Sequence, residues 1–374
     1  MEDIQVRLDD QNRYSWDNIR SVFQDGILTN RFISYDNGTT AQSFYMDGKR
    51  VEMIQTDSQL NGGAKSWDSI KSYYGPDGAL AARVTIYDNG LFKEETFENG
   101  VRSKTIQMDN PQDPNGAGVK SWDVIETYYD QEGQIEARIT QYDNGIFKEE
   151  SFEAGVRTYV RQMDNPQDLE GNGAKNWDTI ETYYDASGQI EARLINYDDG
   201  RVRQDSFENG VRTATEIQDG AYEGGEGNYA WTAMNMYYDE NGALAHKFTV
   251  YDDGRVRQDD YIDGVRHTSI IEDKYIFNGG NYNWDTQHFV YDDSGSVAER
   301  QVTYDDGDEM LQTYVDGNLI QKSEYDGDNS EAWLGRVTTY NDDGSVASTE
   351  TYNDTFELPE DFFINPVIPF EALG

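Results

Sequence analysis

Along most of the chain, polar and apolar side chains alternate for about eight residues and are then cut off by a turn signal. In 134–142, Ile135, Ala137 and Ile139 fall on one side of an extended chain, and Glu136, Arg138, Thr140 and Tyr142 fall on the other. A period of two marks a strand with one dry face and one mixed face. A helix would need apolar residues three and four apart over at least three turns, but here glycine interrupts every ten or so residues. No helix is expected before the tail. Within one unit the punctuation predicts four strands, 122–129, 134–142, 146–152 and 156–163, separated by Asp130-Gln131-Glu132-Gly133, Asp143-Asn144-Gly145 and Glu153-Ala154-Gly155. Asp143-Asn144-Gly145 is a strong hairpin signal because Asn and Gly both tolerate the positive φ of a tight turn. The third strand is polar in its middle, which fits a partly solvated sheet better than one sandwiched between neighbours.

The pattern repeats. The seven tryptophans, Trp16, Trp67, Trp122, Trp177, Trp231, Trp284 and Trp333, are 51, 55, 55, 54, 53 and 49 residues apart. Counting from Trp67, Trp122 and Trp177, the same offsets give Tyr74, Tyr129 and Tyr184, then Arg83, Arg138 and Arg193, then Phe97, Phe152 and Phe207. The predicted fold is all-β: tandem repeats of about 53 residues, each a four-stranded antiparallel meander, stacked in an open or superhelical array over 1–355. Rows of recurring aromatic residues would hold neighbouring units together without a globular core. Four strands in about seven units is also the arithmetic of a seven-bladed β-propeller, and that is the alternative. Both ends are partial units: 4–8 stands where a fourth strand would precede Trp16, and only 337–340 and 345–352 match after Trp333. The apolar, proline-containing stretch 356–374 is expected to cap the array, dock on a partner or serve as an export or attachment signal.

Composition narrows the function. Lys+Arg is 30 and Asp+Glu is 72, a formal charge of −42 in 374 residues, which argues against nucleic-acid binding and against adhesion to anionic lipid. No stretch approaches the length of a membrane span. With no cysteine, disulfides, thiolate catalysis and cysteine-ligated metals are excluded. The start, Met1-Glu2-Asp3-Ile4, lacks the basic and apolar regions of a classical signal. The expected location is extracellular or cell-surface by another route, with the cytoplasm as the alternative.

Catalysis has little support. His246, His267 and His288 share no repeat position, and no phosphate loop, nucleophile elbow or His-Glu-x-x-His is present. The cofactor expectation is none, or calcium, which favours oxygen donors in short acidic loops. Its candidate ligands are Asp109, Asn110 and Asp113 and their copies Asp164, Asn165 and Asp168. Turn geometry alone explains acidic turns such as Asp143-Asn144-Gly145. Trp67, Trp122, Trp177, Arg83, Arg138 and Arg193 read as structural repeat positions. Each arginine is placed to stack on a tyrosine of the next unit or to pair with a strand carboxylate such as Glu136. The Val-Arg pairs at Arg102, Arg157, Arg212 and Arg266 invite the same reading.

The runs Tyr129-Asp130-x-x-Gly133-x-Ile135-x-x-Arg138 and Tyr142-Asp143-Asn144-Gly145 resemble the tyrosine–aspartate (YD) repeats of large bacterial surface and toxin-encapsulating proteins. The run from Tyr142 to Glu150 also resembles hairpin modules of the MORN type. The resemblance covers about half the chain, in the middle of every unit, and leaves out the Trp-Asp start and the proline-containing loops. It implies stacked β-hairpins with scaffold, shell or binding roles and no catalysis by the repeats. The resulting functional expectation is a non-enzymatic structural or interaction module that meets a protein partner or self-assembles. The alternative is a lectin-like propeller for neutral glycans, acidic glycans being disfavoured by charge. A neutralising partner for a basic toxin is a third reading, prompted by charge alone.

Overall fold

The computed structural model describes residues 1–10, 13–57, 65–109, 120–164, 175–220, 229–273, 280–353, 358 and 362. Among these the regular elements are 27 strands, and no helix is long and apolar enough to cross a membrane. The chain forms two compact units, Met1–Gln189 and Ile190–Gly374.

In the first unit the module led by Trp122 is a meander of Trp122–Tyr129, Ile135–Tyr142, Phe147–Glu153 and Val156–Met163, each pairing antiparallel with the next. The ladder does not stop at the module's end. Lys49–Thr56 pairs with Trp67–Tyr74, Val101–Met108 with Trp122–Tyr129, and Val156–Met163 with Trp177–Tyr184. In the second unit Val211–Gln218 pairs with Trp231–Tyr238, Val265–Glu272 with Trp284–Tyr291, and Asn318–Tyr325 with Gly335–Tyr340. A propeller keeps each four-stranded blade as its own sheet and stacks blades face to face. Here the last strand of one module hydrogen-bonds to the first strand of the next, so the propeller alternative is overturned and the array is open. The physical reason is edge satisfaction: each module leaves a row of N–H and C=O groups that the next module's first strand occupies.

Turn chemistry sets the register. At Asp143-Asn144-Gly145 only the glycine lies at positive φ, +84°. Asn144 instead accepts a hydrogen bond from the Ile146 N–H at 3.1 Å, an Asx-type turn. Turns with both central residues at positive φ join the third and fourth strands at Asp47-Gly48, Asn99-Gly100, Ala154-Gly155, Asn209-Gly210, Asp263-Gly264 and Asp316-Gly317, and in the Trp16 module Asp25-Gly26 also joins the first and second strands this way. This is the type I′ geometry whose twist matches a hairpin. A third device is the bulge after Trp16, Trp67, Trp122, Trp231 and Trp284; at Trp122 the register slips between Trp122 and Val124 and leaves Asp123 as the extra residue.

The sheet buries more polar than apolar residues. A cross-strand row runs through the first unit as Ser43, Met53, Ser72, Arg83, Glu95, Thr105, Thr127, Arg138, Glu150, Val160 and Thr182. Small hydroxyls alternate there with long charged side chains that cover them, and Thr105, Thr127 and Glu150 are buried. The second unit holds one compact apolar cluster, Trp284, Val302 and Met310, flanked by Ile271 and Tyr304. Phe362 of the tail is buried, 6.4 Å edge-on from the Tyr352 ring. Leu358 and Phe362 lie directly over Gly335, where a Cβ would meet their side chains at 2.5 and 3.0 Å.

Ala154 is the exception among these turns, because an alanine at φ +49° carries a steric cost that Asn or Asp largely avoids. Ala154→Asn is expected to stabilise the chain by about 0.5–1 kcal/mol, read as a higher urea midpoint. An unchanged or lower midpoint contradicts the turn assignment.

Candidate functional site

On the mixed face the modules led by Trp67, Trp122, Trp177 and Trp231 each gather basic side chains around one buried carboxylate, a position that Ser43 and Gln312 hold in the modules led by Trp16 and Trp284. Glu150, at the middle of the third strand, faces Arg157 at 2.9 Å, Lys148 at 3.0 Å and Arg138 at 4.0 Å. Glu95 repeats this with Arg102 at 2.8 Å, Lys93 at 3.1 Å and Arg83 at 3.9 Å. In the second unit Asp205 takes the place with Arg203 at 3.0 Å, Arg212 at 3.4 Å and the Thr215 hydroxyl at 2.6 Å. Asp259 does so with Arg257 at 2.8 Å, Arg266 at 3.2 Å and the Ser269 hydroxyl. Strand alternation places these partners: residues two apart, such as Lys148 and Glu150, share a face, and the register brings Arg138 opposite Glu150. Around Glu150 the side chains leave a depression of about 350 Å³ lined by Trp122, Tyr129, Tyr142 and the same charged groups.

The arginine that begins the fourth strand has a second contact. The Arg102 guanidinium lies 5.5 Å from the ring centre of Tyr129, and Arg157 lies 5.7 Å from that of Tyr184, both tyrosines belonging to the next module. Arg50 does the same over Tyr74, and in the second unit Arg212 over Tyr238 and Arg266 over Tyr291. Arg138 and Arg83 instead remain within their own modules, Arg138 reaching Phe152 as well as Glu150. Arg193 stands opposite Asp205 in the register. Glu136 is exposed, at a register slip that leaves it unpaired between Ile135 and Ala137. Trp67, Trp122 and Trp177 are half-buried, with Trp67 paired to Tyr87 and Trp122 to Tyr142 across strands. Tyrosine also stacks on tryptophan at Tyr14–Trp16, Tyr229–Trp231 and Tyr282–Trp284, with ring centres 5.1–5.3 Å apart.

The loop edge carries a different chemistry. After each fourth strand an aspartate accepts the backbone N–H of the residue two before the next tryptophan. Asp109 takes that of Lys120 at 2.7 Å, Asp164 that of Lys175 at 2.7 Å and Asp273 that of Tyr282 at 2.9 Å. Asp57, Asp219 and Asp326 hold the same position. The carboxylate therefore clasps the base of the interrepeat loop. Among the calcium candidates, Asp109 and Asp164 are such clasps, while Asn110, Asp113, Asn165 and Asp168 lie outside the described residues. The recurrence of this aspartate could have been read from its fixed place after the fourth strand, but 72 acidic residues hide it.

Among the described residues one acidic group brings three carboxylates within 4.8 Å: Asp308, Asp326 and Asp328. It could coordinate a metal ion. Burial pushes the Asp308 carboxyl up, and the charges of Asp306, Asp328 and Asp326 add to the rise. Both Asp326 oxygens already accept backbone N–H groups, from Ser330 at 3.0 Å and Glu331 at 2.9 Å. The histidines do not join any such group. His246 pairs with Asp260 at 2.8 Å in an exposed position, and burial holds His288 below the ordinary imidazole range. No described constellation has the nucleophile, base and orienting group that acyl or glycosyl transfer requires.

No protein-family model matches the chain, and neither does any curated protein. Among solved structures it is similar to TcdB2-TccC3 without its hypervariable C-terminal region, at 12% identity and a TM-score of 0.20, over 92% of this chain and 22% of that one. The chain thus spans about a fifth of that protein's length, and so loose a likeness carries no argument about fold or function.

The junction between fourth and first strands also has a titratable pair, Lys104 and Glu126 at 2.7 Å. The Lys104 hydrogen bond, with that of Tyr128, holds the Glu126 carboxyl below its ordinary value against the opposing effect of burial. A depressed carboxyl contributes stability above its unfolded pKa of about 4.3, and that contribution is lost as pH falls through the folded value. Glu126→Gln is expected to cost about 0.5–1 kcal/mol at pH 7 and less at pH 3. Denaturation at the two pH values checks this, and an equal cost at both contradicts it.

Proposed function

We propose that the chain is a non-enzymatic interaction scaffold, working outside the cytoplasm, in which an open β-array presents a repeated acidic surface to a protein partner or to further copies of itself. The observation that carries the reading is the use of the recurring side chains. The Val-Arg arginines and the tyrosines seven residues after each tryptophan are engaged with one another across module joints. An array of recognition pockets would leave those groups open to a ligand, whereas here they serve cohesion. The absence of a described catalytic constellation and the YD- and MORN-like character of the hairpins support the same conclusion. The location is supported by zero cysteine and a net charge of −42, both at home in secreted proteins.

A depression lined by Trp122, Tyr129 and Tyr142 is also what a sugar-binding repeat would offer, so glycans provide the test. Screening neutral oligosaccharides by calorimetry is expected to give no binding tighter than about 1 mM. A saccharide bound more tightly, with affinity lost in Tyr129→Ala, overturns the scaffold reading.

A further inference from the structure

The module joints differ in the bulge residue that follows the tryptophan, and the difference points to an ion. In the second unit the joint at Asp219 is satisfied by protein alone. Asp219 Oδ1 accepts the Gly220 N–H and Oδ2 the Tyr229 N–H, each at 2.9 Å. The bulge residue after the tryptophan is Thr232, whose hydroxyl donates to the hairpin-turn aspartate Asp252 at 3.1 Å. Bulge residue and turn residue therefore touch, and the hydroxyl supplies the proton that the carboxylate needs.

At other joints the bulge residue is aspartate, so that donor is replaced by another carboxylate. At the Trp122 joint, Asp109 is 3% and Asp123 5% exposed. The Asp109 N–H donates to the Asp123 carbonyl at 3.0 Å, and the Asp143 N–H donates to the Ser121 carbonyl at 3.4 Å, which brings the turn aspartate to the same joint. Asp109 Oδ2 is held by Lys120, but Asp109 Oδ1 is buried and has no hydrogen-bond partner. The Trp284 joint repeats the arrangement with Asp273, Asp285 and Asp305. Asp273 is 2% exposed, its Oδ2 is held by Tyr282, and its Oδ1 is again buried without a partner. Gly280 closes over that carboxylate so tightly that a Cβ there would overlap it. Loss of solvation and then the charges of Asp285 and Asp273 push the Asp305 carboxyl up, so these groups share one electrostatic environment.

An unpaired buried carboxylate oxygen beside further carboxylates is costly unless a cation joins them. We propose that Asp109 with Asp123 and Asp143, and Asp273 with Asp285 and Asp305, each bind one calcium ion at a module joint. The donor set is all hard oxygen. Calcium takes six to eight such ligands in flexible geometry, so water can complete the shell, whereas magnesium demands a compact octahedron. Neither set brings its three carboxylates within 4.8 Å of one another as the Asp308 group does, so binding requires the side chains to close on the ion. The Asp308 group leaves no such open oxygen on Asp326, and the Thr232 joint provides a site that lacks one ligand.

The test uses the full chain stripped of divalent ions. Terbium is added with excitation through tryptophan, since Trp122 adjoins Asp123 and Trp284 adjoins Asp285, and bound calcium is counted by equilibrium dialysis. The expected results are tryptophan-sensitised terbium emission displaced by calcium but not by sodium chloride of equal ionic strength, and a calcium-dependent rise in melting temperature. Asp143→Asn and Asp305→Asn, exposed turn positions unlike the buried clasps, each lower the bound calcium by one ion per chain. Asp293→Asn, in a turn away from the joints, leaves the count unchanged. Absence of sensitised emission, displacement by sodium chloride as effective as by calcium, or an unchanged count in both joint variants overturns the proposal.

Discussion

An arginine that serves two modules at once is the interaction on which the array depends. Arg157 binds Glu150 of its own module at 2.9 Å and spreads its guanidinium over Tyr184 of the next. The ion pair anchors the head group, and the ring covers the face that the carboxylate does not use. Arginine suits this because its planar, weakly hydrated cation can accept an ion pair in its plane and an aromatic ring on its face. Lysine, a compact and strongly hydrated charge, cannot do both. The backbone ladder sets the spacing of the modules, and the arginine clamp gives the joints at Tyr74, Tyr129, Tyr184, Tyr238 and Tyr291 a side-chain contribution of about 0.5–2 kcal/mol beyond their hydrogen bonds.

This arrangement also explains how a chain with so few apolar residues is ordered. Of the buried positions, most are threonine, serine, aspartate or glutamate, and the buried apolar ones are scattered apart from the cluster around Trp284. Burying a carboxylate such as Glu150 is tolerable only because three cations surround it, and those cations are drawn from just 30 in the chain. The basic residues are thus gathered on the mixed face, while much of the acid excess lies in the turns and along the loop edge. A surface organised in this way repels anionic polymers and membranes and invites cations or a basic partner, which joins the electrostatics to the scaffold reading.

Much of the fold was legible because the turns are so regular. Glycine positions and the alternation of Ile135, Ala137 and Ile139 placed the strands to within a residue or so: 134–142 and 146–152 were expected, and Ile135–Tyr142 and Phe147–Glu153 are found. What alternation cannot reveal is how one module meets the next, because an open ladder and a blade of a propeller use the same four strands. That difference lies in whether Val156–Met163 pairs with Trp177–Tyr184, a long-range contact without a local signal. The carboxylate partner of Arg138 was misplaced for a similar reason. Glu136 is close in sequence but falls at a register slip between Ile135 and Ala137 that alternation does not show, whereas Glu150 is brought opposite by the register. At the loop edge, the second residue of the Trp-Asp start is the extra residue of a bulge, and no periodicity argument marks a residue whose purpose is to break the period.

The most direct test of the clamp is a double-mutant cycle between Arg157 and Tyr184, using Arg157→Ala and Tyr184→Leu singly and together, with stability measured by urea denaturation at low salt. The account predicts that the two effects are not additive and that the coupling energy is about 1 kcal/mol. Additivity within about 0.3 kcal/mol would contradict it, because the arginine would then be holding its own module only and the joint would rest on the backbone ladder alone.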